Sequence, residues 1–411
     1  MRRGGRVGRT ARGAARGLRC AVRRDLGDPD ESVDDLLSEP DASDAVLVLE
    51  PGTYAPIRIT GGGPLTIVGR SRDEVTVAGI VLDGARDVTI RSLTVAGNED
   101  PDSDAVRITG RSQGIELTDL MIDPSHNAGV AIIDGSRNVT VDHSLISGAR
   151  VTRKLGRARN ILIGDGSPDL TRWVEGIRIE DNELVAAGAD GIQVAGATDV
   201  TIARNFIHDT QQNDDHNDGI QVVAVDGALI AANTLTTLTQ SSQDQSIMVG
   251  HLGGKAGPPA DPNMKVRNVV IVNNLVHHWK GAGITLSGTI DVTVVNNTSM
   301  DNGPDGKPFP GLLIDSTIFG NEGLRLINNV VSDIQIVGAG PTGEQAGNVV
   351  AGAGAGPFDR SGDPCFADRV EYRLAPQSPA IDAGITDGAP ADDRAGLPRR
   401  GSPDAGALEG P

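Results

Sequence analysis

Aromatic side chains are nearly absent from this chain: five Phe, two Tyr and two Trp make up 2% of 411 residues. A core built around large rings is therefore excluded, and Ile, Val and Leu must fill the interior. Two cysteines, Cys20 and Cys365, are too few for a disulfide framework and identify no redox compartment. No apolar run is as long as a membrane span or the core of a signal peptide, so we expect no membrane segment and see no export signal.

Positive charge is also scarce outside one segment. Residues 1–24 contain nine Arg and no acid, whereas the whole chain carries a net charge of −18. We interpret this segment as a disordered Arg-rich tail or a mis-assigned start. The acidic remainder argues against nucleic acid as a partner, because phosphate binding needs a basic face and base stacking needs aromatic side chains.

Glycine is abundant, at 54 residues, and it accompanies short runs in which apolar and polar residues alternate. This composition is typical of many short strands joined by turns. From about residue 87 one pattern recurs: a few alternating apolar residues, a polar pair that often ends in Asn, two more apolar residues and a loop. At steps of 23 to 41 residues, the second residue of each polar pair is Ser92, Asp119, His143, Asn182, Asn205, Asn233, Asn274, Asn297 and Asn329.

A short repeat with internal alternation predicts an all-β solenoid, in which each coil buries its inward side chains against the coils above and below. Asn at one corner predicts a ladder of stacked amides. We expect roughly ten or more coils in a single domain over residues 25–355. A short capping helix at residues 30–37 and an irregular closing segment over residues 356–411 complete the prediction.

This repeat, with its Asn corner and its Gly-Ile strand starts, resembles the right-handed parallel β-helix of the pectate lyase type, a repeat family of bacteria. The resemblance covers about residues 45–350. The segment 378–409 is similar to the closing segment of secreted or surface bacterial β-helix proteins. The resemblance implies an extracellular, periplasmic or cell-surface location.

The five residues Asp-Gly-Ile-Gln-Val occur at 190–194 and again 28 positions later, at 218–222. Aligning the coils on their apolar residues gives an inward column of Ile192, Ile220, Ile247 and Ile284. Residues of the opposite parity must face outwards. The outward column reads Arg107, Ala131, Leu162, Gln193, Gln221, Met248, Thr285 and Leu313.

Proteins of the fold that the chain resembles bind sugar chains along this strand face, and they act as polysaccharide lyases, hydrolases or uronate epimerases. The resemblance therefore implies a polysaccharide partner. The cationic loop at 148–160 favours an anionic, uronate-containing one, because substrate carboxylates must be neutralised. The predicted substrate-binding residues are Gln193, Gln221, Asp190, Gln245, Arg153, Lys154, His251, Trp279 and Lys280.

Lyase or C5-epimerase chemistry needs a base that removes the proton beside the substrate carboxylate. We predict His216 as base or acid, and Asp218 as the residue that orients it or binds a cation. Lys255 or Arg153 would meet the substrate carboxylate. Calcium is the cofactor we consider, because the oxygen ligands it prefers are present at Asp214, Asp215 and Asn217.

Several alternatives stay open. A glycoside hydrolase would use Asp190, Asp214 and Asp218 as acid and base, whereas a surface or polysaccharide-binding protein would need no catalytic group. Each Asp-Gly pair also fits a structural role, because Asp at a turn bonds to nearby backbone. Trp279 fits either stacking on a sugar ring or plugging the core.

Two better-defined families are not matched. Alginate epimerases have a motif of the Asp-Pro-His-Glu type, but residues 214–218 read DDHND. The Gly-His-Gly and Arg-Ile-Lys pair of polygalacturonases is also missing from the sequence. The residues therefore leave the reaction open between elimination, epimerisation, hydrolysis and binding.

Overall fold

The computed structural model of the protein describes residues 22–26, 45–97, 103–123, 127–148, 158–210, 217–237, 244–250, 265–303 and 307–411. The predicted capping helix at residues 30–37 lies outside these ranges. Within them, the helical element is a single 3-10 turn, Leu170–Arg172. Predominantly β structure is what the composition indicated.

In chain order, the first strands are Val22–Leu26 (β1), Ala45–Leu49 (β2), Gly52–Tyr54 (β3), Ile57–Thr60 (β4), Leu65–Gly69 (β5), Val75–Val77 (β6), Ile80–Asp83 (β7), Arg86–Val95 (β8), Asp104–Thr109 (β9), Gln113–Ile122 (β10), Ala128–Ile132 (β11), Arg137–Asp142 (β12), Leu145–Ser147 (β13), Arg159–Ile163 (β14), Val174–Glu180 (β15) and Glu183–Val185 (β16). They are followed by Ile192–Ala203 (β17), Phe206–His208 (β18), Ile220–Ala231 (β19), Thr234–Thr236 (β20), Ile247–Gly250 (β21), Val266–Val272 (β22), Leu275–His277 (β23), Ile284–Ser287 (β24), Thr289–Val295 (β25), Thr298–Met300 (β26), Leu312–Ser316 (β27), Leu324–Ile327 (β28), Val330–Val331 (β29), Ile334–Gly338 (β30), Gly343–Ala346 (β31), Val349–Val350 (β32) and Arg360–Ser361 (β33). β1 begins at Val22, within the segment that we had assigned to the tail.

The strands form three faces, each a stack of parallel strands. Face A contains β4, β7, β9, β11, β14, the first parts of β17 and β19, β21, β24, β27 and β30. Face B contains β1, β2, β5, the first parts of β8 and β10, β12, β15, the second parts of β17 and β19, β22, β25, β28 and β31. Face C contains β3, β6, the ends of β8 and β10, β13, β16, β18, β20, β23, β26, β29, β32 and β33.

The chain runs through faces A, B and C in turn, and each strand pairs in parallel with the strand one coil later. Ile192 of β17, for example, lies beside Ile220 of β19, which lies beside Ile247 of β21. Parallel neighbours joined by such crossovers wind with a right hand. The fold is a right-handed parallel β-helix, and the eleven strands of face A agree with the prediction of roughly ten or more coils.

Aliphatic side chains fill the interior of this helix as one continuous core. The predicted inward column is confirmed, since Ile192, Ile220, Ile247 and Ile284 are all fully buried. Aliphatic residues recur in the same column at about 4.8 Å from coil to coil, the spacing of neighbouring strands. Burial of this stack, rather than of large rings, is the main apolar contribution to stability.

The predicted ladder of asparagine side chains is present at the corner between faces B and C. The backbone N–H of each ladder residue donates to the Oδ1 of the next, at 2.8 to 3.1 Å. The ladder residues are Asn182, Asn205, Asn233, Asn274, Asn297, Asn329 and Asn348.

The first three positions that the sequence pattern marked lie one residue before the ladder. Ser144, and not His143, precedes Asn182 in the ladder, because the backbone N–H of Ser144 donates to Asn182 Oδ1 at 3.0 Å. His143 instead has a φ of 48°, the left-handed conformation that Asp181 shares one coil later. Ser92 and Asp119 occupy the same left-handed position.

The predicted closing segment, residues 356–411, contains the short strand β33 and is irregular from residue 363 onwards, where it lies along the side of the β-helix. The backbone N–H of Ala407 donates to Thr298 Oγ1 on face C at 3.0 Å. The Asn296 amide donates to the Asp404 carbonyl at 2.8 Å. This segment therefore covers part of face C and the corner next to it.

None of the helical structure in the described ranges is long and apolar enough to cross a membrane.

Candidate functional site

The outward column of face A is the one that the sequence predicted. Its residues lie side by side on consecutive coils: Arg107, Ala131, Leu162, Gln193, Gln221, Met248, Thr285, Leu313 and Gln335. Consecutive residues of this column are about 4.8 Å apart along the helix axis. Through Val81 of β7 the column continues to Arg58 of β4, and its charged or amide groups are Arg58, Arg107, the Gln193–Gln221 pair near the middle and Gln335.

Hydrogen bonds join the two copies of Asp-Gly-Ile-Gln-Val into one network. The Gln193 Nε2 donates to Asp190 Oδ2 at 3.1 Å and to Gln221 Oε1 at 2.6 Å. The Gln221 Nε2 donates to Asp218 Oδ2 at 3.0 Å. The other oxygens of the two carboxylates accept from backbone, Asp190 Oδ1 from Asp218 N–H and Asp218 Oδ1 from Gln245 N–H.

Both carboxylates of this network lie beneath the surface of face A. Asp190 is 3% exposed and Asp218 is fully buried. Burial, together with the nearby Asp190 charge, holds the pKa of Asp218 well above its usual value. A hydrolase carboxylate must contact the glycosidic bond, so these two residues do not supply the acid and base of the hydrolase alternative. Asp190, predicted to bind substrate, is linked to the outward column by its hydrogen bond from Gln193.

Close packing explains the glycine in each copy of the motif. A Cβ at Gly191 would lie 2.6 Å from the Gly219 carbonyl oxygen. A Cβ at Gly219 would lie 2.7 Å from the Ser246 carbonyl oxygen and 2.6 Å from Leu235 Cδ2. The repetition of Asp-Gly-Ile-Gln-Val therefore has a structural basis: glycine lets the coils approach, and Asp ties each coil to the next.

A third site of the same design, which the sequence pattern did not single out, lies three coils earlier in the column. Arg107 Nη1 donates to Asp104 Oδ2 at 2.8 Å, and Asn127 Nδ2 donates to Asp104 Oδ1 at 2.7 Å. The Asp104 side chain is fully buried, which raises its pKa, whereas 43% of the Arg107 side chain is exposed. The signal was available, because Asp104 and Arg107 have the same i, i+3 spacing as Asp190 and Gln193.

Trp279 was predicted to stack on a sugar, and this prediction is wrong. The side chain is fully buried in the continuous core. Its ring lies under face A, since a Cβ added to Gly219 would be 3.1 Å from Trp279 Cη2. Trp279 therefore plugs the space that Gly219 leaves open, which was the alternative interpretation.

The other predicted site residues fall into two groups. Gln245 and Lys280 are half-buried, and Asn217 is fully buried. The remainder lie outside the described ranges: His216, Lys255, Asp214, Asp215, Arg153, Lys154 and His251. No three His, Cys, Asp or Glu side chains are grouped as metal ligands in the part of the chain that the structure describes. The catalytic base, the substrate contacts of the cationic loop at 148–160 and the calcium site therefore stay predictions.

Solved structures of other proteins share this architecture at 11 to 14% sequence identity. The PL6 family alginate lyase AlyGC superposes with a TM-score of 0.57 at 11% identity, over 88% of this chain and 56% of that one. PfbA, a surface adhesin of Streptococcus pneumoniae, gives 0.55 at 12% identity over 81% and 90%. The A-module of the Azotobacter vinelandii mannuronan C-5 epimerase AlgE6 gives 0.54 at 14% identity over 78% and 91%. The chain has the parallel β-helix fold.

Neither a protein-family model nor a curated protein sequence matches this β-helix protein. At such low identity the likeness establishes the fold and leaves the activity to be argued from the site. The described part of that site is a strand face that carries exposed arginines, Arg58 and Arg107 among them, and one pair of oriented amides.

Proposed function

We propose that this β-helix protein binds an anionic, uronate-containing polysaccharide along face A and acts on it as a lyase or C5-epimerase. Two of the three similar structures are named as an alginate lyase and a mannuronan epimerase. The third is named as a surface adhesin. We propose an extracellular, periplasmic or cell-surface location on the same basis.

The proposal rests on the position and the exposure of the Arg107 side chain. Its guanidinium stands in the outward column of face A and is partly exposed to solvent. The buried Asp104 carboxylate holds one of its nitrogens, which orients the planar group and leaves further N–H donors for a ligand. A fixed guanidinium binds a carboxylate through two parallel hydrogen bonds, and it stays charged at every working pH.

The chemistry begins when a base removes the proton from the carbon that bears the substrate carboxylate. Neutralisation of that carboxylate by a cation makes the proton acidic enough to remove. If the glycosidic oxygen then leaves from the neighbouring carbon, a double bond forms and the polymer is cut. If a proton returns from the opposite face instead, the sugar is epimerised. We propose His216 as base or acid and Lys255 or Arg153 as a partner of the carboxylate.

Asp218 enters this scheme as a positioning residue, since it is buried. It follows His216 by two residues, and its carboxylate is tied to the Gln245 backbone at 2.8 Å and to Gln221 at 3.0 Å. These bonds fix the strand end that carries the preceding loop. Calcium remains a proposed cofactor, to be tested by adding it and removing it.

The test is an absorbance time course on a panel of uronate-containing polysaccharides, with calcium and with a chelator. A lyase creates unsaturated ends that absorb in the ultraviolet, and an epimerase in D₂O places deuterium at C5 without that absorbance. We expect His216→Ala to abolish either signal. The exposed Leu229→Ala, on face B, serves as the control and should leave it unchanged.

Binding without catalysis is a second candidate, favoured by one observation. The Asp104, Asp190 and Asp218 carboxylates beside the outward column are buried and hydrogen-bonded, so that none of these three stands exposed as a base. A binding protein would retain the polysaccharide in affinity electrophoresis while giving neither absorbance nor deuterium incorporation. That result would replace the enzyme proposal.

A further inference from the structure

The amide of Gln193 has a single orientation. Its Nε2 lies 3.1 Å from Asp190 Oδ2 and 2.6 Å from Gln221 Oε1, two acceptors that both need a donor. The Gln221 amide is oriented in the same way, because its Nε2 lies 3.0 Å from Asp218 Oδ2. The Gln193 side chain is half-buried, and its Oε1 has no hydrogen-bond partner among the described residues.

An exposed amide oxygen selects what can lie on it. It accepts a hydrogen bond from a hydroxyl or an amide N–H, and it repels a carboxylate, which has no proton to give. The Asp190 carboxylate lies directly beneath the Gln193 amide and adds to this repulsion. This part of face A therefore suits a neutral, hydroxyl-bearing sugar.

Arg107 has the opposite preference. The same i, i+3 arrangement that gives an amide above Asp190 gives a guanidinium above Asp104, with donors for a carboxylate. Three coil steps separate Arg107 from Gln193, about 14 Å at the usual strand spacing. The residues between them in the column, Ala131 and Leu162, carry no charge.

From this arrangement we infer that the ligand of face A is a heteropolysaccharide with widely spaced carboxylates: a uronate lies on Arg107 and a neutral sugar lies on Gln193. A continuous polyuronate places a carboxylate on Gln193 Oε1, where the amide oxygen and the Asp190 carboxylate beneath it repel that group. This inference rests on the proposed function and narrows its substrate class.

The first experiment compares two hexasaccharides of equal length by isothermal titration calorimetry. One is a homopolyuronate; in the other, each uronate is flanked by neutral hexoses. We expect the wild-type protein to bind the mixed hexasaccharide about tenfold more tightly, a difference on the scale of one charged hydrogen bond. Arg107→Ala should weaken binding of the mixed hexasaccharide by a similar factor.

The second experiment converts one site into the other. Gln193→Arg places a guanidinium above Asp190, as Arg107 stands above Asp104, and should shift the preference toward the homopolyuronate by about tenfold. Leu229→Arg adds the same charge at an exposed position of face B and should leave the preference unchanged. Thermal denaturation shows whether each variant is folded, and the wild-type comparison needs neither of them.

The outcomes separate the two proposals. If the wild type binds the homopolyuronate at least as tightly as the mixed hexasaccharide, and Arg107→Ala weakens that binding, the inference is overturned while the proposed function stands. If neither hexasaccharide binds, the proposed function fails and the inference fails with it. Preference for the mixed hexasaccharide, reversed by Gln193→Arg, supports both.

Discussion

The Asp190 carboxylate accepts a hydrogen bond from the backbone N–H of Asp218 at 3.0 Å, although the two residues are 28 positions apart in the chain. Asp218 repeats the contact one coil later, with the backbone N–H of Gln245 at 2.8 Å. The two carboxylates thus tie three consecutive coils together along the corner where face A begins. Because they are buried one above the other, the same bonds bring two negative charges close together.

The first prediction concerns this buried charge. The pKa of Asp218 is raised by burial and by Asp190. At a pH between the unfolded and the folded pKa of Asp218, the folded state holds a proton that the unfolded state has released. The free energy of unfolding therefore falls as the pH rises from the first pKa to the second. Asp218→Asn removes the group, so the variant should lose this fall, which amounts to at most about 1.4 kcal/mol per pH unit.

Urea denaturation between pH 5 and pH 8 measures this difference. Asp104, whose pKa is also raised by burial, contributes a slope of the same sign to both proteins. The comparison between wild type and Asp218→Asn therefore isolates Asp218. Parallel pH profiles for the two proteins would show that Asp218 is ionised in the fold at no net cost, against our account.

The second prediction concerns the asparagine ladder. Asn274 accepts hydrogen bonds from the backbone and side chain of Asn233 and donates to the Ile230 carbonyl at 2.8 Å. Asn274→Ala leaves these buried groups without partners, so we expect a loss of about 3 kcal/mol in the free energy of unfolding. Asn268→Gly is the control, because it removes one exposed bond and retains a backbone suited to the φ of 57°. Equal losses in the two variants would show that the ladder adds nothing beyond its turns.

The third prediction concerns acid. His277 lies under the C-terminal segment, beside His278 and Tyr372, and burial followed by repulsion from His278 and Arg394 lowers its pKa to about 4. The neutral ring is favoured by folding, so this stability is present above pH 6.5 and is lost as the pH falls toward 4. The full loss is about 3 kcal/mol.

Thermal denaturation at pH 7 and pH 4 tests this dependence on His277. His277→Asn should flatten the acid side of the stability profile. The exposed His143→Asn, at a left-handed position that Asn tolerates, should leave the profile unchanged. A profile that stays steep in His277→Asn would assign the acid sensitivity to other groups.

The fourth prediction concerns Trp279. As a buried plug beneath Gly219, it should contribute to stability and not to ligand contact. Trp279→Ala should lower the free energy of unfolding by about 3–5 kcal/mol. Trp279→Phe should fold and bind oligosaccharide with a Kd within about twofold of the wild-type value, because the ring contacts the core and not the ligand. Denaturation and calorimetry measure the two effects separately. Loss of binding in a stable Trp279→Phe protein would return this residue to the sugar-binding surface.

Local patterns predicted what depends on the alternation within each strand. The inward column of Ile192 and Ile220 and the outward pair of Gln193 and Gln221 follow from period two, and the structure confirms them. The ladder was placed one residue early at His143, because the pattern was aligned on polarity and Ser144 takes the place of Asn in that coil.

What the sequence did not reveal depends on contacts between distant residues. Trp279 stands among His and Lys residues, which suggest an exposed loop, but it is buried because Gly219, 60 positions earlier, leaves space for its ring. The burial of Asp190 and Asp218 likewise depends on where the turn before face A directs their side chains. The likeness of Asp104 and Arg107 to these sites became evident once strand register placed all three in equivalent positions.

The most direct test of the central claim, that face A binds a uronate through Arg107, is the affinity of wild type and Arg107→Ala for a uronate-containing oligosaccharide. Arg178→Ala is the matched control, an exposed arginine of face B that is paired with Glu180 at 2.6 Å as Arg107 is paired with Asp104. We predict that Arg107→Ala weakens binding about tenfold or more while Arg178→Ala binds as the wild type does. Equal affinity in all three proteins, or no binding by the wild type, would contradict the claim.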